Sequence, residues 1–169
     1  PLCYIDDVVA TFISTAKGHL PMGKDGFCTV HPTYTVSLGN LANLIQGFKQ
    51  SRSNLYAPNS GNPFEAKLYA TYLSYLPADD FAYSLKENID ERGSFTEFIR
   101  TPERGQVSVN VTKPGIVKGN HWHNTKTEKF LVVCGQAIVR FRRLDTSEVF
   151  EYKVSSQKLE VVDIPPGYT

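Results

Sequence analysis

Two histidines one residue apart, His121 and His123, and a glutamate five positions further on, Glu128, are the residues whose types can do chemistry together. If residues 116–122 form a strand, both imidazoles project from one face, because side chains alternate across a strand with period two. Trp122 then faces the other way, and the polar turn 124–127 lets a returning strand bring the Glu128 carboxylate to the same point. Two nitrogens and a carboxylate meeting at a point suit zinc, and suit other divalent first-row metals nearly as well. Glu128 has a second role open to it, as a general base that does not touch metal. A metal held here can polarise a substrate, bind a water, or simply clamp the structure.

The elements that must position these residues are short and β-rich. Runs over 95–100, 106–112, 116–122, 129–133, 136–144, 148–154 and 159–164 alternate with turns at 103–105, 113–115 and 145–147, the pattern of a sandwich or barrel. The first half reads differently. A short strand over 1–5 leads into a helix with Asp6 and Asp7 at its start and Val8, Val9, Phe12, Ile13 and Ala16 as its apolar positions. A second helix fits 36–50 with Thr35 or Ser37 as cap, and a third begins at Asn62 and Pro63 and runs to about 76. Its rings Phe64, Tyr69, Tyr72 and Tyr75 read as packing, and the isolated His19 and His31 read as loop residues. The turn-rich stretch 77–93 separates the halves, giving expected domains of 1–88 and 89–169.

Composition narrows the function classes. With 18 basic and 17 acidic residues the net charge is +1, which leaves no electrostatic footprint for nucleic acid or an anionic membrane. No apolar run approaches the roughly 20 residues of a membrane helix. Cys3, Cys28 and Cys134 are scattered and odd in number, against a disulfide framework and in keeping with a cytoplasmic protein. The chain opens on Pro1 and stops just after Pro165-Pro166-Gly167-Tyr168, so it is expected to be an internal piece of a longer protein.

The central stretch resembles the first motif of the cupin superfamily: glycine, five residues, His-x-His, three or four residues, Glu, six residues, glycine. Gly115, His121, His123, Glu128 and Gly135 fill every position of it. Pro165-Pro166-Gly167 resembles the middle of that family's second motif, with Leu159 where a glycine is usual, and the family's fourth ligand would be the residue after Thr169. Tyr4-Ile5-Asp6-Asp7-Val8-Val9 resembles a segment of extended short-chain dehydrogenases that act on nucleotide sugars. The two together resemble the bifunctional epimerase/reductase family of capsular polysaccharide synthesis that makes UDP-N-acetyl-L-fucosamine.

That resemblance implies an α+β chain: the helical C-terminal part of an NAD(P)-binding Rossmann-type reductase, with its substrate-binding end in 1–88, followed by an incomplete cupin jelly-roll barrel in 89–169. It implies zinc on His121, His123 and Glu128, a UDP-linked 4-keto-6-deoxy sugar as substrate, epimerisation beside the ketone, reduction with NADPH, and a homodimer. Proton carriers are not picked out. Lys118, Lys126 and Tyr168 are the secondary candidates, and Arg104 and Lys118 are candidates for substrate contact. There is no glycine-rich strand-to-helix turn and no Tyr-x-x-x-Lys pair, so no NADPH site is expected in this chain, and the stretch by itself is expected to lack both activities. An iron-dependent cupin oxygenase and a non-catalytic sugar-binding module are the alternative readings of the same ligand set.

Overall fold

Helix signals in the first half act as their residue types dictate. In a computed structural model describing Pro1–Thr169, α1 spans Ile5–Ala16, α2 Leu38–Asn54 and α3 Pro63–Ser74, followed by a single 3-10 turn at Ala78–Asp80. Ser37 caps α2 by accepting the Asn40 N–H. Asn62 caps α3, its side chain accepting from the Phe64 and Glu65 N–H groups, with Pro63 in the first turn where its missing N–H costs nothing. The N-cap of α1 is Tyr4, which makes no side-chain cap, while Asp6 and Asp7 sit in the first turn and favour its positive end. Residues 1–5 form no strand beyond one bridge between Leu2 and Tyr34.

The seven strands are β1 Glu87–Asp90, β2 Gly93–Thr101, β3 Gly105–Thr112, β4 Glu128–Leu131, β5 Gln136–Arg142, β6 Val149–Ser155 and β7 Val161–Ile164. They pair antiparallel as three separate sheets: β1-β2-β3, β4-β7 and β5-β6. At the β1–β2 turn, Gly93 has φ +136, and a Cβ there would lie 2.0 Å from the Val111 carbonyl oxygen on β3. Only glycine allows that approach.

The chain divides into two units, Pro1–Lys113 and Pro114–Thr169. The first sheet belongs with the helices because β2 is pinned to the segment after α2. The Arg100 N–H donates to the Leu55 carbonyl at 2.7 Å, and the Ala57 N–H donates to the Arg100 carbonyl at 2.9 Å. Within this unit Phe48 on α2 is buried against the rings of Tyr69 and Tyr72 on α3, at 5.0 and 5.8 Å. Tyr69 and Tyr72 pack as expected, whereas Tyr75 is exposed. In the second unit Phe141, Val154 and Val162 form the core, with Phe150, Ile164 and Tyr168 against it.

The expected Rossmann-type helical tail followed by an incomplete jelly-roll barrel does not form. A Rossmann half needs parallel strands joined by helical crossovers, and every strand pair here is antiparallel. Closing a barrel needs each strand to hydrogen-bond on both sides, and the strands after β3 end as two isolated pairs. The architecture is three helices with small antiparallel sheets. A second correction bears on the site: the expected strand over 116–122 is absent, and residues 113–127 are irregular.

Candidate metal centre

The His-x-His segment is irregular because of what precedes it. Gly119 has φ 110 and Asn120 has φ 59, two successive positive values that no strand accommodates. Asn120 is one of the few non-glycine residues that adopt this conformation readily. Strand periodicity therefore does not set the direction of the two imidazoles. They nevertheless meet: the rings of His121 and His123 stand edge to face with centroids 5.2 Å apart.

Glu128 is the first residue of β4, held in register opposite Ile164 of β7. Its Oε2 lies 4.0 Å from His123 Nε2, too far for a hydrogen bond. Its Oε1 accepts from Lys126 Nζ at 2.6 Å. His123 Nε2 is buried and has no hydrogen-bond partner. A buried imidazole nitrogen without a partner is costly unless something else binds it, and a divalent cation is the partner that suits both it and the facing carboxylate. No group of three or more His, Cys, Asp or Glu side chains is already closed into a ligating cluster. Ligands of one zinc ion sit about 2.0–2.2 Å from it, so His123 Nε2 and Glu128 Oε2, 4.0 Å apart, are within reach of a single ion while Lys126 holds the other carboxylate oxygen.

The remaining candidates are scattered. Tyr168 packs its ring against Phe141 and Phe150, at 6.4 and 6.5 Å, as part of the second unit's core. Its neighbour Gly167 donates its N–H to the His123 carbonyl at 3.1 Å, which fastens the Pro-Pro-Gly turn to the His-x-His loop. Sequence reasoning missed this tie, since backbone bonds leave no residue-type signal. Lys118 is half-buried within the same loop. Arg104 lies at the tip of the β2–β3 turn, where its N–H donates to Thr101 Oγ1 at 3.0 Å, in the first unit. The three cysteines are all exposed thiols, and no helix is long and apolar enough to cross a membrane.

The chain is similar to several known proteins. Residues 88–169 match the polysaccharide biosynthesis C-terminal domain. Over 168 residues the chain is 40% identical to a UDP-2-acetamido-2,6-beta-L-arabino-hexul-4-ose reductase of Pseudomonas aeruginosa, covering 99% of this chain and 45% of that protein. It superposes on the crystal structure of CapF with the inhibitor 3-isopropenyl-tropolone at a TM-score of 0.95 and 55% identity, over 99% of this chain and 48% of that one. It also superposes on the capsular polysaccharide assembling protein CapF from Staphylococcus aureus at a TM-score of 0.93 and 55% identity, over 99% of this chain and 45% of that one. The chain thus spans about half the length of these relatives. Over nearly its whole length the chain is similar to CapF and to a UDP-sugar reductase, and its residues 88–169 match the polysaccharide biosynthesis C-terminal domain.

Proposed function

We propose that the chain carries part of a nucleotide-sugar-modifying enzyme of capsular polysaccharide synthesis, in which His121, His123 and Glu128 hold zinc beside a 4-keto-6-deoxy UDP-sugar that is epimerised at the carbon next to its ketone. The observation that carries this reading is the buried, unpartnered Nε2 of His123 facing the Glu128 carboxylate at 4.0 Å. A bound zinc ion would stabilise the negative charge that builds on the ketone oxygen as the neighbouring proton leaves.

The residues of the chain supply the rest. Three donors leave a coordination position open, which distinguishes a catalytic from a closed structural site. Epimerisation breaks one C–H bond and forms another on the opposite face, so one group must accept a proton and another must return it. Lys126 is engaged with Glu128, and Tyr168 is held by aromatic packing. Lys118, half-buried three residues before His121, is a candidate for proton transfer beside Lys126 and Tyr168. Support for metal also comes from the inhibitor bound to the related CapF, since a tropolone carries a hydroxyl and a ketone on adjacent carbons, an oxygen pair suited to chelation.

Reduction by NADPH is proposed for the intact protein and not for these 169 residues, which contain no glycine-rich dinucleotide turn. Pairing with a second copy is proposed as well, and the exposed Val107, Val109 and Val111 along one face of β3 favour it. The test of the central reading is solvent-deuterium incorporation into a 4-keto UDP-sugar, followed by NMR with intact, zinc-loaded protein. Deuterium should enter at the carbon beside the ketone and be lost in His123→Ala. Full zinc occupancy without exchange would sink the epimerase reading.

A further inference from the structure

Residues 114–127 form no strand, so no ladder of backbone bonds holds His123 in place. Its carbonyl instead accepts the Gly167 N–H at 3.1 Å. We infer that Gly167 is a positioning residue for the candidate metal site: its amide fixes the backbone of His123 so that Nε2 faces Glu128 across a gap that one divalent cation spans. The inference rests on the metal reading proposed above, and adds to it a residue with no side chain to offer a metal.

The donor is itself fixed on the core of the second unit. The Gly167 carbonyl accepts the Leu144 N–H at 3.2 Å, and Thr169 exchanges two backbone bonds with Arg142, each of 2.9 Å. Residues 167–169 thereby run antiparallel to the end of β5, with Arg143 opposite Tyr168. The Tyr168 ring packs on Phe141, a core residue, and on Phe150. His123 is thus tied to packed structure through an otherwise irregular loop.

The same short segment also places the second ligand. Ile164, the last residue of β7, is the register partner of Glu128 on β4. Gly167 follows three residues later. Between Ile164 and Gly167 the chain therefore holds Glu128 by strand pairing and His123 by a hydrogen bond, and Nε2 stands 4.0 Å from Oε2. Ligands held near their bound positions lose little freedom when the ion arrives, which raises affinity.

Residue chemistry makes Gly167 the donor. Pro165 and Pro166 have no N–H, so Gly167 supplies the first amide after β7. Its φ is +81, a left-handed value, although a Cβ there would meet nothing within 4 Å. The position demands glycine for its backbone conformation and not for space.

Backbone ester substitution in the full chain tests this, because it removes one N–H and leaves the side chains unchanged. Exposed Cys134, in the turn between β4 and β5, allows residues 1–133 to be joined to a synthetic 134–169 peptide. Glycolic acid at 167 deletes the bond to His123, and the α-hydroxy analogue of threonine at 169 deletes the bond to Arg142 as a control. Zinc affinity, measured against a chromophoric chelator, should weaken roughly fivefold or more in the first and less than about twofold in the second. By mutagenesis, Gly167→Val should weaken zinc binding more than Gly167→Asn, since asparagine tolerates positive φ and a β-branched residue does not. Equal affinity of wild type and the 167 ester, equal weakening by both esters, or a Gly167→Val variant that binds as tightly as Gly167→Asn would each overturn the inference while leaving the metal reading intact. A wild type that takes up no zinc would end both, and the wild-type titration by itself reveals it.

Discussion

Glu128 is pulled two ways, and the contest fixes what single substitutions should do. Lys126 Nζ sits 2.6 Å from one carboxylate oxygen while the unpartnered His123 Nε2 faces the other. Lys126 is more than half exposed, at 53%, so its ion pair is of the solvent-screened kind worth roughly 0.2–1 kcal/mol. Removing it in Lys126→Met frees Glu128, and zinc affinity measured against a chromophoric chelator should tighten by up to about fivefold, the equivalent of roughly 1 kcal/mol. A weakening would mean that Lys126 orients Glu128 instead of competing for it. In His123→Ala and Glu128→Gln, zinc retained after dialysis, measured by plasma mass spectrometry, should fall at least tenfold. Backbone strain makes a separate point at Asn120, whose φ of 59 is hard for a β-branched residue. Asn120→Val should lower stability by about 1–2 kcal/mol, read as the shift of the Trp122 fluorescence transition on urea unfolding.

Among the elements, α1 and α3 are tied by charge. Lys67 on α3 donates to Asp7 on α1, and that hydrogen bond, with the attraction of the carboxylate, raises the lysine pKa above its ordinary 10.5. A group whose pKa is higher in the folded state adds stability that is fully present below its unfolded value and is lost as pH rises through the folded value. Thermal stability of the wild type, followed by helical circular dichroism, should therefore carry a Lys67 contribution at neutral pH that disappears above pH 10.5. Lys67→Met should show no such alkaline step. The cap of α3 is the other element-level test: Asn62→Ala removes the acceptor of two N–H groups and should cost about 1 kcal/mol. β2 and β3 depend on Gly93, where any side chain collides with Val111. Gly93→Ala should separate the two strands at that end and cost more than about 2 kcal/mol by denaturant titration.

Taken whole, the chain buries little. Phe48, Phe141, Val154 and Val162 are the buried apolar side chains, and Phe12, Phe27 and Leu38 are 68, 73 and 84% exposed. Exposed apolar surface on this scale should enhance ANS fluorescence severalfold at neutral pH, and assembly with a second copy should lower it. Titration of the full chain with NADPH should show no saturable fluorescence change in the micromolar range, the outcome that the absent glycine-rich turn requires.

What the sequence determined by itself was local chemistry. Asn62-Pro63 and Ser37 announced their helices because capping depends on neighbours in the chain, and β5 and β6 were legible because short β-rich runs between turns need no distant information. The spacing pointed to His121, His123 and Glu128, and the structure brings His121 beside His123 and His123 beside Glu128, while the strand over 116–122 expected to aim both imidazoles at one point is absent. Only the tertiary structure decided that Gly119 and Asn120 turn that segment out of a strand. It alone decided that seven strands form three small sheets instead of one barrel, and that Gly167 fastens the last turn to His123. Each of these rests on which distant backbone groups find one another, and hydrogen bonds between main-chain atoms carry no mark of residue type.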